Sequence, residues 1–254
     1  GRVYELGRLY EMGMPLYGSR SYVMVIPEMQ GPVGKNQVTW NEEFVAAQIG
    51  QVGTQFDGLG HIGIAGRFFN CSEAREFVKA EGLMRLGVEN VGSFFTRGVL
   101  IDVAGFKGVA RLEKGYAITV EDLKGALAKE GIALREADAV ILHTGWGSLW
   151  MTNNALYTSG APGIGLKAGH WLAEQKVVLV GADTASVEVA PNPEEPATES
   201  VVHQLMITRN GIHLLENLDT SALARDKVFE FAFIFSPLKL KGATGSPGNP
   251  IAVQ

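Results

Sequence analysis

One cysteine, Cys71, stands in 254 residues. Its solitude excludes an intrachain disulfide and a thiolate zinc site, and fits a cytoplasmic protein. Charge is sparse: 22 Lys and Arg against 27 Asp and Glu leave a net −5, and only 19% of residues are charged. Without a basic run, nucleic acid and anionic membranes have no electrostatic footprint, so neither is expected as a partner. Long hydrophobic runs are missing too: the longest apolar stretches have strand length, which excludes a transmembrane helix. No linker, low-complexity tract or internal repeat interrupts the chain. Residues 1–254 therefore read as one domain, long enough for a substantial core. The chain also lacks an initiating methionine. Gly1 opens directly onto structured-looking sequence, so residues are expected to precede it, which leaves room for a signal peptide.

Glycine, by contrast, is abundant, with 32 residues, about twice the usual share. That density means many tight turns, or backbone that must approach something closely. Short β-branched and apolar runs recur at residues 21–27, 99–103, 140–143, 177–181 and 228–235, bounded by Gly, Pro or Asp as strands are. The middle ones are almost wholly apolar, as in strands covered on both faces. Helical patterns lie between them. Thr119-Val-Glu-Asp122 has the form of a capping box opening a helix through about residue 129, with Gly131 as its stop. Residues 167–175 and 199–208 read as two more helices, the latter ending at Asn210-Gly211. Strand–helix alternation specifies an α/β fold with a mixed sheet. Residues 190–198, with three prolines, read as a loop.

Three constellations carry polar groups suited to chemistry. The first is Gln51-Val-Gly-Thr-Gln-Phe-Asp57-Gly-Leu-Gly-His61, too glycine-rich for a helix, since each glycine costs about 1 kcal/mol there. In an irregular loop its four polar side chains either converge on one point or satisfy their own backbone amides. The second is His203 with Glu216, joined through the Asn210-Gly211 turn, which brings two such residues onto one edge. His213 and His170 look packed or exposed. The third is Leu142-His-Thr-Gly-Trp146, at the carboxyl end of an apolar strand where open α/β sheets place ligands. There a strand end with a core tryptophan is the better reading. Asp183, in an equivalent place, is either near a ligand or the cap of a turn. Ser148 and Ser186 lack a nucleophile elbow, no phosphate or dinucleotide loop is present, and Cys71 has no nucleophile signature.

Taken together these pieces resemble the metal-dependent cyclase superfamily of bacterial kynurenine formamidases, isatin hydrolases and trans-dienelactone hydrolases. The resemblance runs from Gly-Met-Pro15 through Gly53-Thr-Gln-Phe-Asp57 and His61, Leu142-His-Thr-Gly-Trp146, Pro162-Gly-Ile164, Asp183-Thr-Ala-Ser186 and His203 with Gly211-Ile and Glu216-Asn-Leu, to Thr244-Gly-Ser-Pro247. It implies a single α/β domain with a mixed, barrel-like central sheet flanked by helices, the swivelling β/α/β arrangement. The family loop has the form H-x-G-T-H-x-D-x-P-x-H. By position its first two histidines correspond to Gln51 and Gln55, its aspartate to Asp57, its proline to Leu59 or Gly60, and its last histidine to His61. The resemblance makes Asp57, His203 and Glu216 metal ligands, with Gln51 and Gln55 in the shell, and His61 the acid–base.

Carboxamide oxygens are harder and weaker donors than imidazoles, so one divalent ion, Mn²⁺ or Zn²⁺, is expected in place of two. The implied activity is hydrolysis of an amide or ester bond, of lactone or lactam type, in a small molecule. Phe56, Trp146, Thr144, Pro162 and Asp183 are the residues expected to bind substrate. The alternatives are a lyase or isomerase on the same fold, and a metal-free binding protein that lost its ion with the two histidines. A homodimer or homotetramer is expected, from the resemblance and from apolar segments at both ends, Val3-Tyr4 and Ile251-Ala-Val253.

Overall fold

The computed structural model describes residues 1–254. Nine strands form its central sheet: β1 (Val3–Glu5), β2 (Gln55–Asp57), β3 (Phe94–Asp102), β4 (Ala139–His143), β5 (Leu179–Ala182), β6 (His213–Glu216), β7 (Glu230–Phe235), β8 (Gly245–Pro247) and β9 (Ile251–Val253), in the spatial order β1-β9-β7-β3-β4-β5-β6-β2-β8. The middle four, β3 to β6, pair in parallel, and every outer pairing is antiparallel. The sheet is mixed, as the alternation of patterns requires, and its most apolar strands lie at its centre.

Those central strands are buried on both faces because successive side chains point to opposite sides. Val99, Ile101, Val140, Leu142, Val180 and Leu214 join one core, which also takes in Leu123, Leu127, Leu172, Val202 and Met206 from the helices. Leu100, Ile141, Leu179 and Leu215 join a second core with Phe56, Phe231, Phe233 and Phe235. The crossovers supply the helices: α1 (Val103–Lys107), α2 (Val120–Glu130), α3 (Leu166–Glu174) and α4 (Val201–His203), with α5 (Ser221–Asp226) after β6. α2 opens on the expected capping box, with Thr119 and Asp122 each accepting from the other's backbone N–H at 3.1 Å, and closes at left-handed Gly131.

Two expectations shift. The helix expected over 199–208 begins later, because Ser200 is left-handed at φ 53°, and after His203 it widens into π-type turns over Gln204–Arg209. Irregular turns of this kind favour functional sites. The strand expected over 21–27 forms as Tyr22–Val25, but outside the central sheet, pairing with Phe44–Ala47. A second hairpin, Gln30–Val33 with Val38–Trp40, extends it into an arm. The arm packs on neither core: only Tyr22 and Ala47, at its root, reach the smaller cluster around Trp146, and its other side chains stay exposed.

Candidate metal centre

Gln55–Asp57, which reads as irregular loop in the sequence, is a fully buried strand between β6 and β8. Its period of two decides everything nearby. Asp57 lies opposite Leu214 and Gln55 opposite Glu216, so these four side chains share the helix-covered face. Phe56 turns to the other face and stacks among Phe94, Phe235 and His213. Gly53, left-handed at φ 62° with the Tyr10 ring where a Cβ would sit, makes the turn into the strand.

Asp57, Glu216 and His203 are all buried, and one ligand atom from each lies within 4.8 Å of the others. His203 Nε2 is 3.1 Å from Glu216 Oε1 and 3.8 Å from Asp57 Oδ2. Its Nδ1 is 2.6 Å from Glu188 Oε1, and Glu188 Oε2 accepts from the Val202 N–H at the start of α4. One carboxylate thus fixes both the helix end and the imidazole it carries, the arrangement that orients a ligating histidine. Burial and then the charge of Asp57 push the Glu216 carboxyl up to about 7, against the lowering pull of His203. Burial alone would lower His203, but its hydrogen bonds to Glu188 and Glu216 outweigh that and hold it well above the usual range. Three carboxylates around one imidazole retain positive charge, whether as a proton on Nε2 or as a cation bound to it.

The residues present fit a divalent ion. Two buried oxygens, Asp57 Oδ2 and Gln55 Oε1, have no hydrogen-bond partner, and an unpartnered buried acceptor costs free energy unless something electropositive meets it. Gln55 Nε2 donates to Glu216 Oε2 at 2.6 Å. The reverse orientation would set oxygen against carboxylate, so the amide oxygen is the end left over. Gln51 differs. Its Oε1 accepts from Arg20 at 3.2 Å while its Nε2 meets Asp57 Oδ1 at 3.1 Å and His61 Nδ1 at 3.3 Å. The expectation that Gln51 ligates metal is therefore corrected: its oxygen is already engaged. His61 Nε2 lies 3.8 Å from Asp57 Oδ1, with the ring partly open to solvent.

A cavity of about 530 Å³ opens over the cluster, lined by Tyr17, Arg20, Gln51, His61, Glu188, His203 and Glu216, with Pro191, Asn192, Pro196 and Thr198 from the loop at 190–198. None of the five residues expected to bind substrate lines it. Phe56 is on the wrong face of β2. Trp146 is buried in a third cluster, its Nε1 donating to the Tyr157 carbonyl at 3.2 Å. Asp183 caps a turn, accepting from Thr144 N and Oγ1 and from Gly147 N, so both Asp183 and Thr144 tie strand ends together. Pro162 is buried beside the short bridge of Gly163–Ile164 to Ala117–Ile118. His213 is core, its Nδ1 3.0 Å from the Asp57 carbonyl, and His170 is exposed. Sequence reasoning missed Glu188, Arg20 and Tyr17. For Glu188 the signal was present: a lone carboxylate within Val187-Glu-Val-Ala190.

A model of the family described as “Putative cyclase” matches residues 6–189. The chain belongs to this cyclase family. The crystal structure of a novel cyclase superposes with a TM-score of 0.87 at 28% identity, over 100% of this chain and 87% of that one. Isatin hydrolase A from Labrenzia aggregata, bound to benzyl benzoate, gives 0.70 at 20% identity over 99% and 93%. Isatin hydrolase A from Ralstonia solanacearum gives 0.68 at 21% over 100% and 92%. These share the curled mixed sheet with flanking helices. No curated protein matches the chain.

Proposed function

We propose that this chain is a divalent-metal-dependent hydrolase that cleaves an amide or ester bond in a small molecule. The observation that carries the reading is the buried Asp57–His203–Glu216 cluster, with its unpartnered oxygens, beneath a cavity that His61 also lines. Asp57, His203, Glu216 and the Gln55 oxygen would hold the ion. When bound, it supplies Lewis acidity that polarises a carbonyl and acidifies water.

The chain's own groups do the rest. Glu188 holds the His203 ring so that Nε2 faces the cluster. His61 moves the proton at Nε2, taking it from attacking water and returning it to the leaving group. That requires the tautomer with hydrogen on Nδ1, so Gln51 Nε2 keeps its bond to Asp57 Oδ1 and gives up its longer contact with the ring. Pro191 and Pro196, with Ile62, Ala185, Val189 and Ala190, give the cavity its apolar surface.

The test is acid release, followed by pH-stat, from a panel of formyl amides, lactones, lactams and isatin. Chelator-stripped protein should be inactive and regain turnover with Mn²⁺ or Zn²⁺. Metal-loaded protein that releases no acid but converts a substrate without hydrolysis would transfer the reading to lyase or isomerase chemistry.

A second copy of the chain is the proposed partner. Ten large apolar side chains between Val23 and Val45 stand 39–60% exposed, among them Met24, Ile26, Met29, Trp40 and Phe44. They offer roughly 900 Å² per chain, doubled in a symmetric pair to roughly 1,800 Å², the size of a stable interface. Light scattering at micromolar concentration tests this, and a monomeric mass would count against it.

A further inference from the structure

We propose that Gln55 sets which metal the site prefers, biasing it toward a hard divalent cation of the Mn²⁺ type and away from Zn²⁺. The inference rests on the metal-dependent reading above and concerns the composition of the donor set.

The donors that the fold leaves free are unequal in kind. Asp57 Oδ2 and Gln55 Oε1 are buried and unpartnered. Glu216 Oε1 and His203 Nε2 face each other at 3.1 Å, while His203 Nδ1 is spent on Glu188. Three oxygens therefore accompany a single imidazole nitrogen. The other soft donors are taken up otherwise: His61, 3.8 Å from the second Asp57 oxygen, Oδ1, is the proton carrier of that reading, Cys71 is exposed, and His213 uses its Nδ1 on the Asp57 carbonyl. Zinc draws most of its advantage from imidazole and thiolate, whereas carboxylate and carbonyl oxygens suit Mn²⁺ and Mg²⁺.

Within this set Gln55 is the position that chemistry can change without moving the frame. Its backbone is fixed in register opposite Glu216 by β2–β6 pairing, and its amide nitrogen is held on Glu216 Oε2, which aims the neutral oxygen away from that carboxylate. Gln51 does not share the role, because its oxygen is engaged by Arg20.

The test is calorimetric titration of stripped protein with Mn²⁺ and with Zn²⁺, comparing wild type, Gln55→His and Gln55→Leu. Gln55→His should tighten Zn²⁺ relative to Mn²⁺ by about a hundredfold. Gln55→Leu, which keeps the bulk and removes the donor, should weaken both ions by about tenfold or more. Circular dichroism checks that each variant is folded, and competition between the two ions on wild type gives the reference ratio with no substitution at all. An unchanged ratio in Gln55→His, with wild-type affinity in Gln55→Leu, overturns the role of Gln55 and leaves the metal centre standing. Wild-type protein that binds neither ion overturns the centre itself, and the preference with it.

Discussion

The strand pair β2–β6 and the arm over residues 21–48 depart from ordinary burial in opposite directions. In β2–β6, carboxylates, glutamine and histidine are enclosed where apolar groups belong, and almost every polar atom has found a partner. In the arm, valines, methionines, Phe44 and Trp40 are open where polar groups belong. On the proposed reading both are completed from outside the chain. The strand pair has two acceptors left over, which suit a cation, and the arm has an apolar face left over, which suits the second copy proposed above. Enclosed polar groups and open apolar patches are the informative exceptions to burial, and here each names the chemistry of what completes it. The two meet at the cavity, because Arg20, at the root of the arm, contacts Gln51 beside Asp57.

The comparison breaks most sharply at Asp57. Asp57→Ala removes the unpartnered oxygen and the charge that raises Glu216, so metal content should vanish and turnover should fall by about 10⁴-fold or more. Metal analysis of the purified variant beside its rate checks both. Retained metal would show that Asp57 is not a ligand. His61→Asn should have the next largest effect, about 10²–10⁴-fold in turnover, with metal content near wild type. If metal and activity disappear in parallel, His61 belongs to the ion, and the proton carrier must be sought among the other cavity residues.

The arm should respond to charge and the strand pair should not notice. Met24→Lys with Phe44→Lys should turn a dimer into a monomer by light scattering, while the thermal midpoint of the sheet core stays within a few degrees, since the arm joins neither core. A stable dimer in the double variant would place the interface elsewhere on the chain.

How far the sequence went follows from what kind of information each feature needs. The central strands and the α2 capping box were legible because they depend on local pattern: apolar runs, and Thr119 three residues before Asp122. The Asp57, His203 and Glu216 grouping was legible through its likeness to a family, since spacing alone does not join residues 57 and 203. The glycine-rich pattern of Gln51–His61 reads as a loop and so puts Phe56 in the cavity; because residues 55–57 pair with β6, alternation sends it to the opposite core. Position at a strand end points Thr144 and Asp183 toward a ligand, whereas the structure uses them to join those ends. Glu188 was not found because its function depends on His203, fifteen positions away and on another element. The arm's apolar residues were visible, but a sequence does not say what covers them.

The smallest expected effect comes from His213, which backs the strand pair from the far face. Its ring lies 4.6 Å from Phe56 and its Nδ1 is 3.0 Å from the Asp57 carbonyl. Burial lowers its pKa below the usual 6.5, with the Asp57 carbonyl and carboxylate pulling the other way. The unfolded chain therefore takes up a proton more readily than the folded one. The stabilisation from keeping His213 neutral is complete above the unfolded value of about 6.5, and is lost as pH falls from there through the folded value. His213→Phe keeps a ring against Phe56 but gives up the hydrogen bond to the carbonyl, at a cost of about 1 kcal/mol near pH 7.5. It also gives up the proton-linked loss, so the gap between variant and wild type in urea denaturation should shrink, or change sign, by pH 5. Glu216 and His203 titrate in both proteins and largely cancel in that difference. A gap that stays constant from pH 7.5 to 5 would mean that His213 takes its proton in the folded state as easily as in the unfolded chain, and that the far face of β2 is less closed than its packing on Phe56 and Phe94 implies.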